Sequence, residues 1–595
     1  MGETFDAAVR VEARGVRSGS HVPGGLLWLM PAAAVLGLLF VFPFLYGLFV
    51  SFTPATGAWW GNYAQVFSSE ELMRTLTTTM DLAVPASLVT VGLAFPLAYA
   101  FRGQSRHETL LVLALVVPIA AGPVVIADGL LTFLGPRGWV SLGLRALHVT
   151  TGPIYWTHHY TGLLIAVVAS AFPLVFLVLR AYLMSIDEVL LGAAATLGAG
   201  PWQRFRYVSW PTCRRGVVVA LCLSFVQAFS TFPSAVILGA PTGPTRVIAR
   251  AAYEAAYEHS DYSMGACIAT VMALVQVLVV AVVFGVGRLT SGTRVLSDAP
   301  SADHGATSAR RPGFVASATM AFGLGQIAFA LAAVGVSSFA RRWRGTWLPR
   351  AWTLSWYPSA WTDLQLAPVL RVTFEVVAVV AIVSMAIGVP AAYVLARSGR
   401  RIKRAALGLA LLPLAIPPMT YGIPLATLMY RVGLTGTFWG VVLANVVPAV
   451  PLVILVLLPF VEPIDPSIES AARILGANKR QVLWHILAPL LASGVSAAAV
   501  LVVVRTLGNF ELTYLVAGSE SQTLVVAVYG AITATGLRAP QLVDAVAMIY
   551  VVMVIALVAL AMRLVPPDGL AASVRRRSRE PVLGVGASPF QDPAA

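Results

Sequence analysis

Gly192-Ala193-Ala194-Ala195-Thr196-Leu197-Gly198-Ala199 and Ser470-Ala471-Ala472-Arg473-Ile474-Leu475-Gly476-Ala477 are two stretches of one chain with the same punctuation. In each, an Ala-Ala pair is followed by three residues and then a glycine. A proline, Pro211 or Pro489, stands at the same distance beyond that glycine. Ala-Ala on a short helix leaves a small face that another surface can approach closely. Gly198 and Gly476 suit the left-handed residue that ends such a helix. Pro211 and Pro489 suit the first turn of the next helix, where a missing N–H costs little. Each stretch therefore predicts a helix–turn–helix elbow, with a basic flank of Arg204, Arg206, Arg214 and Arg215 in one and Arg473, Lys479 and Arg480 in the other.

The elbows interrupt a very apolar chain. Of its 595 residues 58% are hydrophobic and 11% charged, against roughly 25% charged in an ordinary soluble protein, and the mean hydropathy is +0.81. Surface grows with size and needs polar cover, so this composition excludes a soluble enzyme, a disordered regulator and a nucleic-acid-binding domain. At about 20 apolar residues per bilayer crossing, the chain divides into about twelve segments: 26–52, 78–101, 109–134, 160–184, 216–240 and 264–288, then 316–340, 370–396, 405–430, 437–460, 492–517 and 541–564. The expected fold is all-α, a polytopic membrane protein with two related six-helix halves. The expected organisation is an N-terminal segment (1–25), a first transmembrane domain (26–290), a linker (291–315), a second transmembrane domain (316–565) and a tail (566–595). The linker is polar, rich in Ser, Ala and Pro, and without periodicity.

The formal charge of +14 is carried almost wholly by arginine, since Lys403 and Lys479 are the only lysines. The arginines gather in short loops between apolar segments, the pattern of loops held on the cytoplasmic side. Both termini and both elbows are then expected on the cytoplasmic side of the membrane. The loop with Arg341, Arg342, Arg344 and Arg350 would lie outside, beside the interfacial Trp343, Trp347, Trp352 and Trp356. Cys213, Cys222 and Cys267 form no Cys-x-x-Cys pair and predict neither a disulfide framework nor a metal site.

The halves repeat. Phe95-Pro96-Leu97-Ala98-Tyr99-Ala100 matches Val389-Pro390-Ala391-Ala392-Tyr393-Val394, Asp81 falls opposite Glu375, and Val117-Pro118 opposite Leu412-Pro413. Doubling is common in transporters, secondary carriers included; the elbows discriminate. Their pattern resembles the cytoplasmic signature of the permease subunits of bacterial ABC importers: E-A-A, three residues, Gly, nine residues, I-x-L-P. The Glu position is Gly192 in one copy and Ser470 in the other, with Asp187, Glu188, Asp465 and Glu469 nearby. The first half is similar to polyamine-type permeases in Phe42-Pro43-Phe44, Asn62-Tyr63 and Ile186-Asp187. The second half resembles their partner permease in Leu411-Leu412-Pro413, Ile416-Pro417-Pro418, Gly433-Leu434-Thr435-Gly436 and Thr523-Leu524-Val525-Val526. The chain thus looks like a fused double permease of the polyamine, phosphonate, ferric-iron and thiamine branch.

That resemblance implies a type I importer fold and coupling through Gly192, Ala193, Ala194, Gly198, Pro211, Ser470, Ala471, Ala472, Gly476 and Pro489. It implies two copies of a separate ABC ATPase and an external substrate-binding protein as partners. The basic flanks suit either acidic groups on the ATPase or anionic membrane lipid as a further partner; no nucleic acid is expected. No lysine follows a glycine, so the Gly-Lys-Ser/Thr of a phosphate-binding loop is absent. No cofactor or catalytic residue is expected in this chain, and ATP belongs on the partner subunit. The alternative is an ion-coupled carrier of twelve spans, which leaves the two elbows unexplained.

Ionisable groups inside apolar spans are costly and so are functional candidates. They are Asp81, Asp128, Glu375, Arg505 and Glu511, with Asn509 between the last two. A ring of acids at the external mouth would favour a cation such as a polyamine, ferric iron or thiamine, while the family branch also admits a phosphonate. Glu375 has a second reading, an ion pair with Arg371 one helical turn earlier. Gly508-Asn509-Phe510 and Phe229-Ser230-Thr231-Phe232-Pro233 are the corresponding kink-prone stretches of the two halves.

Overall fold

A computed structural model describes residues 25–54, 57–101, 108–152, 154–184, 186, 188–240, 243–289, 314–343, 345–534 and 538–564. The expected N-terminal segment, linker and tail lie outside these residues, apart from Gly25, Phe314 and Val315, and so does the basic turn Arg102–His107. Every described element is a helix, and an isolated bridge between Ala340 and Trp352 is the single β-type pairing among the described residues.

Twelve principal helices follow the chain. They are α1 (Leu27–Ser51), α2 (Glu70–Ala100), α3 (Glu108–Leu134), α4 (Tyr160–Met184), α5 (Pro201–Phe229) and α6 (Tyr262–Leu289). The second set is α7 (Phe314–Ser338), α8 (Leu366–Arg397), α9 (Arg400–Ala415 with Pro418–Arg431), α10 (Phe438–Val461), α11 (Val482–Gly508) and α12 (Pro540–Leu564). Ten of them are each long and apolar enough to cross a membrane; α7 adds a shorter apolar stretch, and α9 is a bent pair.

The ninth segment corrects the sequence reading. It is not one straight span over 405–430 but two arms bent by 94°. A residue before proline is pushed out of the helical region, and here two such residues follow one another. Ile416, before Pro417, has ψ 131°; Pro417, before Pro418, has ψ 143°. The third helix breaks at the corresponding place by other means. Gly122, four residues after Pro118 as Pro417 is four after Pro413, has φ 73° and ψ 173° inside α3 and precedes Pro123.

Each half lends its first helix to the other. Gly47 of α1 lies against α9, where a Cβ would stand 2.5 Å from Pro424 Cγ. Ala330 of α7 lies against α3, with its carbonyl 2.6 Å from where a Cβ on Gly129 would be. Gly129 and Pro424 are equivalent positions, eleven residues after Pro118 and Pro413, so the exchange is reciprocal. Lipid tails give helices no hydrophobic reason to associate, so close packing of small residues must hold them. Ala83, Ala86, Ala94 and Ala98 accordingly form a fully buried line along α2, which packs against α4 and α5.

Breaks inside a membrane free backbone groups that need partners. Tyr550 of α12, fully buried, brings its hydroxyl to 2.9 Å from both the Ala120 and Leu507 carbonyls, beside the breaks in α3 and α11.

Candidate coupling elbows and translocation pathway

The elbow helices are Glu188–Thr196 and Pro466–Ile474. Asp465 caps the second, accepting from Ser467 N–H at 2.8 Å, which holds its carboxyl below the usual carboxylate range. Both helices end in the same turn. Ala199 N–H donates to Ala194 O and Ala477 N–H to Ala472 O, each at 3.0 Å, with Gly198 at φ 84° and Gly476 at φ 91°. This is the left-handed stop expected from the sequence. The next helix starts alike too: Gln203 Oε1 accepts from Gly200 N–H at 2.8 Å, and Gln481 Oε1 from Asn478 N–H at 2.9 Å.

Pro211 and Pro489 differ from expectation. Neither begins a membrane helix; each sits inside a continuous one, just after a π turn at Phe205–Ser209 or Val482–Leu487. A proline within a helix removes a hydrogen bond and crowds the carbonyl one turn back, and a π turn is a way to make room for it.

The elbow tips are apolar and uncovered. Leu197 is 88% exposed and its counterpart Leu475 is 87% exposed; Ile474, Trp202, Tyr207 and Trp484 are also exposed. On the same two helices Gly192, Ala193, Ser470 and Ala471 are exposed, while Ala194 and its counterpart Ala472 are half-buried. Such apolar exposure at two matched sites marks an interaction surface.

Glu469, set beside the expected glutamate position, is the residue the motif undervalues. It is buried, accepts from Tyr393 Oη at 2.5 Å and pairs with Arg397 at 3.0 Å. Arg397 also donates to Ile464 O at 2.7 Å. The second elbow is thereby fastened to the end of α8. In the first half the corresponding contact is aromatic, Tyr99 against Phe205 with ring centres 5.5 Å apart.

Both kink-prone stretches are breaks. α5 stops at Phe229 and resumes as Pro233–Leu238; α11 stops at Gly508 and resumes as Phe510–Val516. Phe232 and Phe510, equally far beyond Gly198 and Gly476, stack across the seam with centres 6.4 Å apart. Tyr253, Tyr514 and Tyr529 complete the cluster, with 3.0 Å between the Tyr253 and Tyr514 hydroxyls. Asn509 Nδ2 donates to Asn445 Oδ1 at 2.8 Å, and Asn445 Nδ2 to Thr513 Oγ1 at 3.0 Å. Away from the elbows, Gly508 meets the backbone of α3, where a Cβ would lie 3.1 Å from Ala120 O. On the elbow side of that contact Leu501 and Arg505 are exposed.

The acids form no ring. Asp81 is exposed, with Tyr160 Oη donating to its backbone carbonyl at 2.7 Å. Glu375 is exposed and paired with Arg371 at 2.7 Å, the second of its two sequence readings. Asp128 is buried, with its Oδ2 unpaired among the described residues, and so is Asp544 of α12, which accepts from Ser337 of α7. Glu511 is half-buried and makes no ion pair with Arg505 among the described residues. The reason is helical phase: Asp81 and Glu375 point away from the seam that Asp128 enters. Asp544 escapes a reading of the spans because it lies in the first turn of α12 and passes for a helix end.

The family described as binding-protein-dependent transport system inner membrane component matches residues 26–291 and again 385–567. The chain belongs to this family. It carries the permease module twice, and each copy contributes one elbow and two broken helices. The molybdenum transport system permease protein ModB of Mycobacterium tuberculosis is 33% identical over 175 residues, covering 27% of this chain and 66% of that protein. ModB of Escherichia coli K12 is 30% identical over 182 residues, covering 29% of this chain and 76% of that protein. This double permease thus matches just under two thirds of the mycobacterial relative's length. A bacterial alginate ABC transporter, solved in complex with an alginate pentasaccharide-bound periplasmic protein, overlays with a TM-score of 0.41 at 20% identity, covering 46% of this chain and 97% of that one.

Proposed function

We propose that this permease forms the translocation pathway of an ATP-driven importer. The observation that carries the reading is the pair of elbows, alike in turn, cap and exposed apolar tip. Two copies of a separate ATPase cover Leu197 and Leu475. The arginine distribution puts the elbows and both termini in the cytoplasm, so the opposite face receives solute from an external binding protein. ATP is bound and split on the partner. Closure of the ATPase pair moves both elbows, and the continuous helices α5 and α11 carry the movement to the aromatic cluster. That cluster is the gate: Phe232 and Phe510 separate when the pathway opens outward and stack when it opens inward.

The cargo that fits best is a small oxyanion. Arg505, exposed on the elbow side of the inter-half contact, is the accessible charge on α11, and relatives are named for molybdenum transport. A cationic cargo loses its support with the acid ring: Asp81 and Glu375 are exposed away from the seam, and Glu375 is paired with Arg371. The test is co-purification with the ATPase, then uptake in proteoliposomes of molybdate, a phosphonate and spermidine. A Gly198→Val, Gly476→Val double variant should lose the ATPase. Uptake that survives without any ATPase and collapses with the proton gradient would overturn the importer reading. Uptake of spermidine alone would overturn the anion reading.

A further inference from the structure

A groove at the seam between the halves is left unused by transport. Near the outer end of α3, α7 crosses it with Phe329 stacked on Phe133, ring centres 5.7 Å apart and planes within 4°. Two cavities share Phe133, Val140 and Phe329. One, about 450 Å³, is completed by Trp139, Trp347 and Leu348. The other, about 320 Å³, reaches Trp156 and Ile165 from the first half and Phe322 and Gln326 from the second. Phe322, Phe329, Trp347 and Leu348 are each more than half exposed, so the groove opens sideways from the bundle.

Its inner cavity holds polar groups that nothing in the protein satisfies. Gln326 is 8% exposed, and neither its Oε1 nor its Nε2 has a hydrogen-bond partner; the buried Trp156 Nε1–H has none either. Leaving such a group buried and unpaired costs about 1–3 kcal/mol, and buried polar groups in native structures are normally paired. Apart from Gln326 and the Trp156 Nε1–H, the cavity walls are apolar. The fitting occupant is a long apolar body with an acceptor oxygen. Depth agrees: Gln326 is one turn from Phe329, which stands level with the penultimate residue of α3. Trp139, which donates to Trp347 O at 2.8 Å, and Trp343 mark the same level as an interfacial aromatic belt.

We propose that this groove binds a membrane phospholipid, one acyl chain lying in the aromatic channel and its ester carbonyl accepting from Trp156 Nε1–H and Gln326 Nε2–H. The walls come from α3, α4 and the segment between them on one side and from α7 and the segment after it on the other, so the lipid joins the halves at the seam. It is a bound component of the permease, distinct from the general lipid around it.

The test uses the full chain in nanodiscs of phosphatidylglycerol carrying a diazirine on one acyl chain, with crosslinks mapped by mass spectrometry. The exposed apolar face of α6 at Leu274, Leu278 and Val282 is the internal control. Labelling of 322–329 should exceed that control severalfold. One hydrogen bond at about 1 kcal/mol corresponds to about fivefold, so Trp156→Phe, which keeps the ring in place, should lower the excess by about that factor. Trp156→Phe with Gln326→Leu should bring it to the control level while the melting temperature in lipid-free detergent holds. Equal labelling of groove and control in the wild type, or an excess untouched in the folded Trp156→Phe variant, would overturn the proposal.

Discussion

Thr79 and Thr373 make the same pair of hydrogen bonds in the two halves. Each hydroxyl donates to the carbonyl one turn back, Thr75 O or Val369 O, at 2.7 Å. Each accepts a backbone N–H at 2.9 Å from the first residue of a further short helix, Ile248 of Ile248–Tyr253 or Leu524 of Leu524–Thr533. Tyr253 and Tyr529 of the aromatic cluster stand five residues beyond those two N–H groups, so the threonines set the cluster's position from both sides. Thr79→Val and Thr373→Val keep the shape and remove the acceptor. A buried N–H left unpaired costs about 1–3 kcal/mol. Each variant should show that loss in a denaturation midpoint of the purified protein, of similar size in both halves; wild-type midpoints would mean the bonds are idle.

The leucines at the elbow tips contribute nothing visible to the fold, being almost fully exposed. Substitution of such surface residues usually changes stability by less than about 0.5 kcal/mol. Leu197→Ser with Leu475→Ser should therefore leave the melting temperature unchanged and strip the ATPase during gel filtration. Retention of a stoichiometric ATPase would move the docking surface elsewhere.

Glu469 and Arg397 form a buried pair, with side chains 8% and 12% exposed. Removing one partner of such a pair costs about 3–5 kcal/mol, whereas replacing both with apolar groups is often neutral. Glu469→Gln should lower the melting temperature. Glu469→Met with Arg397→Met should recover most of the loss while uptake stays impaired, because the fastening of elbow to α8 is gone. Full uptake by the double variant would leave that fastening without a role in coupling.

Phe232 and Phe510 are fully buried at the seam. Truncating a buried phenylalanine costs about 3–5 kcal/mol, and here the space created lies between the halves. Phe232→Ala and Phe510→Ala should raise ATP-independent efflux of small anions from loaded proteoliposomes. The paired substitution should leak more than either alone. Tight vesicles with a folded double variant would place the seal elsewhere.

The elbows could be read before any coordinates, because a glycine at positive φ and a fixed spacing to proline leave few local solutions. The breaks in α5 and α11 were legible for a related reason: Phe232-Pro233 and Gly508-Asn509 are poor helix formers in apolar surroundings. Pro417-Pro418 was equally visible, yet hydropathy averages over the bend and cannot report 94°. Burial of Asp128 and exposure of Asp81 depend on helix rotation, and in a lipid-soluble helix both faces are apolar, so no amphipathic stripe records it. Glu469 was masked differently. A motif fixes which position to look at, whereas Tyr393 and Arg397 reach the carboxylate one residue earlier.

The π turns ahead of Pro211 and Pro489 have a geometric consequence. A residue advances an α-helix by about 100°, and a π turn takes in one residue more than its neighbours. Each turn is thus a fixed angular offset between the two ends of a shaft, the elbow at one end and a phenylalanine ring at the other. Deleting one residue from Val482–Leu487 would swing Phe510 about a quarter-turn from Phe232 without touching either ring. Both shafts carry such an offset, over five residues in one and six in the other, so the facing of the two rings is set well away from the rings themselves.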